Sequence, residues 1–293
     1  MIEELKGTGV ALITPMDKEG NVDYTSLKKI VALGIKGGLN TMVVLGTTAE
    51  TPTLTSEERQ AILTFVAEEA QGKITLIAGF GGNNTQQVVD ELSAADLSGY
   101  SFILSASPYY NKPSQEGIYQ HYKAVAKASP LPVILYNVPG RTSSNMHPDT
   151  TLKLAREIKN IVGIKEASGS IDQCIKLIKN KPKDFIVLSG DDNLVVSQMA
   201  IGVQGVISVI ANLLPKEFSQ MVNLCLDGDF KKASETQIDL SEFIDLLFEE
   251  GNPVGIKAAM SLSNLCVEHL RLPLVPASVS LRERIKKMLI QIK

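Results

Sequence analysis

Lys165 closes the apolar run Ile161-Val162-Gly163-Ile164 and is followed by Glu166 and three small residues, Ala167-Ser168-Gly169. Such a run reads as a buried strand whose last side chain is charged. A lysine held among apolar neighbours loses hydration, which favours its neutral amine, and a neutral amine can attack a ketone to form an imine. Other chemically useful side chains stand just past comparable apolar runs. They are Thr47 and Thr48 after residues 41–46, Tyr109 and Tyr110 after the run that begins at Phe102, and Tyr136 near the end of residues 132–137. Arg141 lies in the loop beyond Tyr136, and Ser189, Gly190 and Asp191 end the run that begins at Phe185. One amine, several phenols, two adjacent hydroxyls and a guanidinium suit the condensation of a keto acid with an aldehyde. The imine acts as an electron sink for an enamine, a phenol and a hydroxyl relay protons, and the guanidinium pairs with a carboxylate bidentately.

Taken singly, each residue has an ordinary explanation. Lys165 would be a solvated lysine past a strand end, Tyr136 a core ring with a wet hydroxyl, and Thr47 and Thr48 turn residues. Arg141 would be a loop ion-pair partner of little energetic worth, and Tyr109-Tyr110 an aromatic subunit contact. What gives the set weight is the architecture that would bring its members together.

Short apolar runs at residues 9–15, 41–46, 74–79, from Phe102, 132–137, 161–165, 185–190 and 205–209 read as strands. Nearly every one is followed by a helical pattern. Asp23 can cap a helix with Leu27, Ile30, Val31 and Gly34 on one face, and Thr55-Ser56-Glu57-Glu58 has capping-box spacing. No strand shows a polar face, so the sheet is parallel and covered outside, and right-handed crossovers repeated this often close into a (β/α)8 TIM barrel. The first turn, Thr14-Pro15-Met16-Asp17, lacks the glycine-rich signature of an open doubly wound sheet. From about Phe218 the pattern is wholly helical, with helices expected at 231–249, 254–266 and 281–292. The expected division is a barrel over 1–225 and a C-terminal helical extension over 226–293. In a barrel, residues past the strands' C-terminal ends share one mouth, where enzymes of this architecture keep their active sites.

The totals narrow the function classes. Lys+Arg of 29 against Asp+Glu of 32 gives a formal net charge of −3, with no basic excess for nucleic acid or an anionic membrane. Cys174, Cys225 and Cys266 are widely spaced and odd in number, which fits a reducing cytoplasm and neither a disulfide framework nor a zinc knuckle. The start, Met1-Ile2-Glu3-Glu4-Leu5-Lys6, is unlike a signal peptide, and no apolar run approaches the ~20 residues that span a bilayer.

Six stretches carry a family resemblance: Gly46-Thr47-Thr48-Ala49-Glu50-Thr51, Pro108-Tyr109-Tyr110-Asn111-Lys112-Pro113, Leu135-Tyr136-Asn137-Val138-Pro139-Gly140-Arg141, Gly163-Ile164-Lys165-Glu166-Ala167, Leu188-Ser189-Gly190-Asp191-Asp192 and Gly205-Val206-Ile207-Ser208. In order and spacing they resemble dihydrodipicolinate synthases essentially from end to end. The resemblance implies condensation of pyruvate with L-aspartate 4-semialdehyde to 4-hydroxy-tetrahydrodipicolinate, on the diaminopimelate route to lysine. It implies that Lys165 forms the imine and Tyr136 moves protons. Thr47 would link Tyr136 to Tyr110, which reaches in from a neighbouring subunit of a homotetramer built from dimers. Thr48 would hold the pyruvate carboxylate, Gly190 and Ile207 would lie near the imine through backbone groups, and Arg141 would meet the semialdehyde carboxylate. No metal and no organic cofactor are implied. An N-acetylneuraminate lyase shares the lysine and tyrosine, but Thr47 and Arg141 favour the synthase, since a sugar acceptor gives Arg141 no anion to meet. A barrel that has lost activity and serves as a binding protein would form no pyruvate adduct at Lys165.

Two positions depart from the family pattern. Ala49 replaces a usual glycine, so a positive φ there would strain the loop. In lysine-sensitive relatives the inhibitor binds near residues matching Thr51, Ser56, Arg59, Asn83, Gln87 and Tyr109, where histidine and glutamate are common at the positions of Arg59 and Gln87. A guanidinium repels the incoming ammonium and an amide supplies no counter-charge. The expected outcome is weak or absent inhibition by lysine; half-inhibition at sub-millimolar lysine in a steady-state assay would refute it.

Overall fold

The computed structural model describes residues 2–292. Eight strands, β1 (Gly7–Ala11), β2 (Thr41–Val44), β3 (Thr75–Gly79), β4 (Phe102–Ala106), β5 (Val133–Asn137), β6 (Ile161–Glu166), β7 (Ile186–Ser189) and β8 (Gly205–Ser208), close in sequence order into one parallel barrel. β8 returns to pair with β1 in parallel, so no edge is left open. The strands are apolar on both faces for a reason. Val43, Ile77, Phe102, Ile134, Ile186 and Ile207 fill the barrel interior, whereas Val10, Met42, Leu76, Ile103, Leu135 and Val187 pack outward against the helices.

The expected helix caps form. The Asp23 carboxylate accepts from Ser26 N at the start of Tyr24–Lys36, and Thr55 and Glu58 cap Ser56–Ala70 reciprocally. The first apolar run leaves the sheet at Ala11, short of the expected 15. There the Asn212 side chain replaces a partner strand, donating to Ala11 O at 2.8 Å and accepting from Ile13 N at 3.1 Å. One irregularity bears directly on the site. Val133 pairs with Ile161 but Ile134 pairs with Gly163, so Val162 is an extra residue and the register beyond it sets Tyr136 beside Lys165.

After β8 the described residues contain helices only, among them Pro215–Leu226, Phe230–Glu249, Val254–Leu262 and Val279–Ile292. Pro215–Leu226 packs on β1 and on Phe230–Glu249, which in turn carries Val254–Leu262 and Val279–Ile292. No helix among the described residues is long and apolar enough to cross a membrane.

His121, on the helix Gln115–Ala128, is buried against the neighbouring helix Thr85–Ala94, with Nδ1 2.9 Å from Thr85 Oγ1 and Nε2 without a partner. Burial pushes its pKa down to about 4. Because the unfolded chain takes up this proton near 6.5 and the native state does not, the histidine subtracts stability as pH falls from about 6.5 to about 4, by about 3 kcal/mol in all. In urea unfolding across that window, His121→Leu should lose less stability than the unsubstituted protein. Parallel curves for the two would rule the effect out.

Candidate active site

The C-terminal strand ends converge on a cleft of about 440 Å³ whose lining includes Thr47, Tyr136, Val138, Arg141 and Asn252. Tyr136 comes from β5, buried, with its ring in the apolar cluster of the barrel interior that also contains Ile207 of β8. Lys165 is on β6, 4% exposed, with Nζ 4.4 Å from the centroid of the Tyr136 ring. The amine thus lies over the face of the phenol, a cation–π arrangement when it is protonated. Gly190 has no side chain for a reason: a Cβ there would lie 3.0 Å from Lys165 Cε and would overlap the Ala167 side chain. Of the two expected backbone neighbours of the lysine, Gly190 lies against Lys165 itself, and Ile207 belongs to the interior cluster that holds Tyr136.

Thr47 and Thr48 occupy a 3-10 turn, Thr47–Ala49, directly after β2. Thr48 is buried and its Oγ1 accepts from Asn252 Nδ2 at 3.0 Å. Ala49 does not take a positive φ; the left-handed residue is the next one, Glu50, at φ 55°. The alanine is therefore tolerated at position 49 without backbone strain. Arg141 ends the short helix Pro139–Thr142, exposed at the cleft wall. Tyr110 is not brought to the cleft of its own chain: it is 86% exposed, at φ 70°, whereas Tyr109 lines the cleft.

Buried acids frame the lysine. Glu166 points away from the barrel interior and accepts from Asn137 Nδ2 at 3.1 Å, Gln173 Nε2 at 2.9 Å and Ser168 N at 2.8 Å. Its carboxyl is held above the usual range by burial, opposed by these donors. Asp192 accepts from the backbone N–H groups of Val209 and Ile210, both at 2.9 Å, and so fixes the end of β8; burial raises its carboxyl too. Asp191 accepts from Gly169 N at 3.2 Å and is likewise raised by burial, with the nearby Lys165 charge working against the rise. Among the described residues, no group of three or more His, Cys, Asp or Glu side chains is arranged to hold a metal ion.

Of the six residues expected around a regulatory ligand, Thr51, Ser56 and Arg59 line a second cavity of about 340 Å³ between the helices Ser56–Ala70 and Thr85–Ala94. Thr51 and Arg59 also line the larger cleft, together with Asn83, Gln87 and Tyr109. The sequence reading missed Glu91 here, one turn beyond Gln87. Its carboxylate is already engaged, with Arg59 Nη1 at 3.3 Å and Gln87 Nε2 donating at 3.0 Å. Glu50, Asn252 and Lys257 were missed as well. The signal for Lys257 was present: it is the lone charge in the apolar helix Val254–Leu262 and is completely buried.

Comparison with known proteins places this geometry. The sequence model of the dihydrodipicolinate synthetase family matches residues 4–292. The 4-hydroxy-tetrahydrodipicolinate synthase of Flavobacterium psychrophilum is 52% identical over 279 residues, covering 95% of both chains. The crystal structure of the dihydrodipicolinate synthase of Aquifex aeolicus superimposes with a TM-score of 0.95 at 39% identity, over 98% of each chain. The chloride-inhibited dihydrodipicolinate synthase of Acinetobacter baumannii, solved in complex with pyruvate, does so with a TM-score of 0.94 at 41% identity, over 97% of this chain and 98% of that one. On sequence and on fold alike, the chain belongs to the dihydrodipicolinate synthetase family.

Proposed function

We propose that the protein condenses pyruvate with L-aspartate 4-semialdehyde to 4-hydroxy-tetrahydrodipicolinate through a Schiff base on Lys165. The observation that carries the reading is the pairing of the buried Lys165 amine with the Tyr136 ring at 4.4 Å, beside a cleft bounded by Thr47 and Arg141. The neutral amine of Lys165 adds to the ketone of pyruvate, and loss of water gives the imine. A methyl proton is removed to leave the enamine, whose carbon attacks the semialdehyde's aldehyde. The acceptor's own amino group then displaces Lys165 as the ring closes.

Tyr136 is the acid–base group for these proton movements, because its phenol is the side chain stacked against the amine. Thr47 is the hydroxyl that connects it outward, and Thr48 holds the pyruvate carboxylate. Gly190 and Ile207 present backbone groups beside the imine. Arg141, at the exposed wall and without an ion-pair partner among the described residues, takes the semialdehyde carboxylate bidentately. That acceptor charge is the reason a sugar lyase is the weaker reading. The Tyr110 ring, 86% exposed and outside its own cleft, fits a residue offered to a second copy, and the proposed working assembly is a homotetramer, a dimer of dimers, with Tyr110 completing a neighbour's site. In the same reading residues 1–225 form the catalytic barrel and 226–293 a helical extension that braces it.

Two substitutions test the assignment. Lys165→Ala should abolish turnover and borohydride-trapped pyruvate adduct while circular dichroism stays native, because a mouth lysine serves chemistry more than packing. A trapped adduct in that variant, or an unfolded spectrum, would contradict the assignment. Tyr136→Phe should lower turnover ~10²-fold or more. A near-normal rate would remove Tyr136 from the mechanism.

A further inference from the structure

We infer that Glu50 and Lys257 are positioning residues whose buried ion pair clamps the helical extension onto the turn carrying Thr47 and Thr48, and so sets where the pyruvate carboxylate binds; the inference rests on the function proposed above. Glu50 is the shared cap of two consecutive 3-10 turns, Thr47–Ala49 and Thr51–Thr53, and holds φ 55° and ψ 32°. A glutamate rarely adopts that left-handed conformation unless its surroundings enforce it. Here they do so through the carboxylate. Oε1 pairs with Lys257 Nζ, and Oε2 accepts from Arg271 N at 3.0 Å. Lys257 Nζ also donates to His269 O at 3.0 Å, and neither side chain of the pair has any exposure.

The extension grips the same loop at further points. Asn252 Nδ2 donates to Thr48 Oγ1 at 3.0 Å. The Arg271 guanidinium donates to Thr53 O at 2.7 Å and forms a bidentate pair with Glu58. Both oxygens of Glu50 are thus consumed by the chain itself, in a place water does not reach. A carboxylate so engaged cannot exchange a proton with substrate, so its effect must pass through the turn it caps. Removing either partner would leave the other as an uncompensated buried ion. The consequence for chemistry is selective. Thr47 and Thr48, on the turn Thr47–Ala49, are the residues assigned above to the pyruvate half of the reaction, whereas Arg141 is carried by a different loop that this clamp does not touch.

The test uses the full-length chain with Glu50→Gln and Asn252→Ala, measuring steady-state constants for both substrates and counting pyruvate sites by borohydride trapping. The pyruvate KM should rise about tenfold in each variant while the semialdehyde KM stays within about twofold and every chain still traps pyruvate. A structural role would not move the constants in this way. An unchanged pyruvate KM in both variants overturns the inference, as does a fall in kcat matched by fewer trapped sites with both KM values intact. Where Glu50→Gln alone fails to fold, Glu50→Gln/Lys257→Met removes the orphaned charge and carries the same expectation. Absence of a trapped adduct in the unsubstituted protein would overturn the functional reading and this inference with it. Trapping there, with variants that behave like it, overturns the positioning role alone.

Discussion

The register that sets Tyr136 beside Lys165 is the constraint on which the rest of the site depends. In a parallel barrel, paired residues share a face, and a shift of one exchanges inside for outside. A straight continuation of the Val133–Ile161 pairing would place Tyr136 against Ile164, whose side chain belongs to the layer under the helices. The extra residue at Val162 moves the partner to Lys165, so amine and phenol enter the barrel interior in the same layer. Gly163 follows that irregularity and lies so close to Ile186 of β7 that a side chain there would overlap it. The close approach keeps β6 and its lysine tight between its two neighbours.

Holding that register takes polar contacts on the outer side of the same strands. Glu166 and Asn137 are register partners one step beyond Lys165 and Tyr136, and they bond to each other directly. Asn145, Met146 and Gln173 complete a closed amide network around the carboxylate. A network of this kind is worth less in net stability than its hydrogen bonds suggest, because the carboxylate has first been stripped of water. What it adds is uniqueness of arrangement: slipping the pair by one residue would leave a buried acid and several amides unsatisfied at once. Asp192 plays the corresponding part for β8 by accepting two backbone N–H groups at its end.

The barrel was legible in the sequence because both determinants of a parallel sheet, doubly apolar strands and capped intervening helices, are local. Lys165, Tyr136, Thr47, Thr48 and Arg141 were legible because strand ends in this architecture share a mouth. What remained hidden was non-local. Asn252 lies 204 positions from Thr48, and Lys257 lies 207 from Glu50, so no periodicity connects them. The first strand read too long because Leu12 and Ile13 are as buried as strand residues, yet beyond Leu12, whose N–H still donates to Val43 O of β2, the backbone turns to the Asn212 side chain. The alanine at position 49 is tolerated because the left-handed conformation falls on Glu50, a cap geometry that only coordinates reveal. Tyr110 was expected to serve a neighbouring subunit's site, and a single chain shows of it only a ring that stands outside its own cleft.

These hidden contacts follow a common logic. The chemistry proposed here needs one amine, one phenol and two hydroxyls held in fixed relation, and these come from β2, β5 and β6, which are not consecutive around the barrel. Hydrogen bonding along the sheet fixes β5 against β6 directly, but it reaches the loop after β2 only through intervening strands, β3 and β4 one way round the barrel and β7, β8 and β1 the other. Sheet twist and strand flexing accumulate over such a path. A rigid brace from outside the barrel shortens it, and the helical extension contacts the β2 loop through buried charge. An apolar contact would bring comparable stability and tolerate small displacements. A buried ion pair with directional partners does not, because each displacement strands a charge, and the trade of stability for fixed geometry is what a catalytic turn requires.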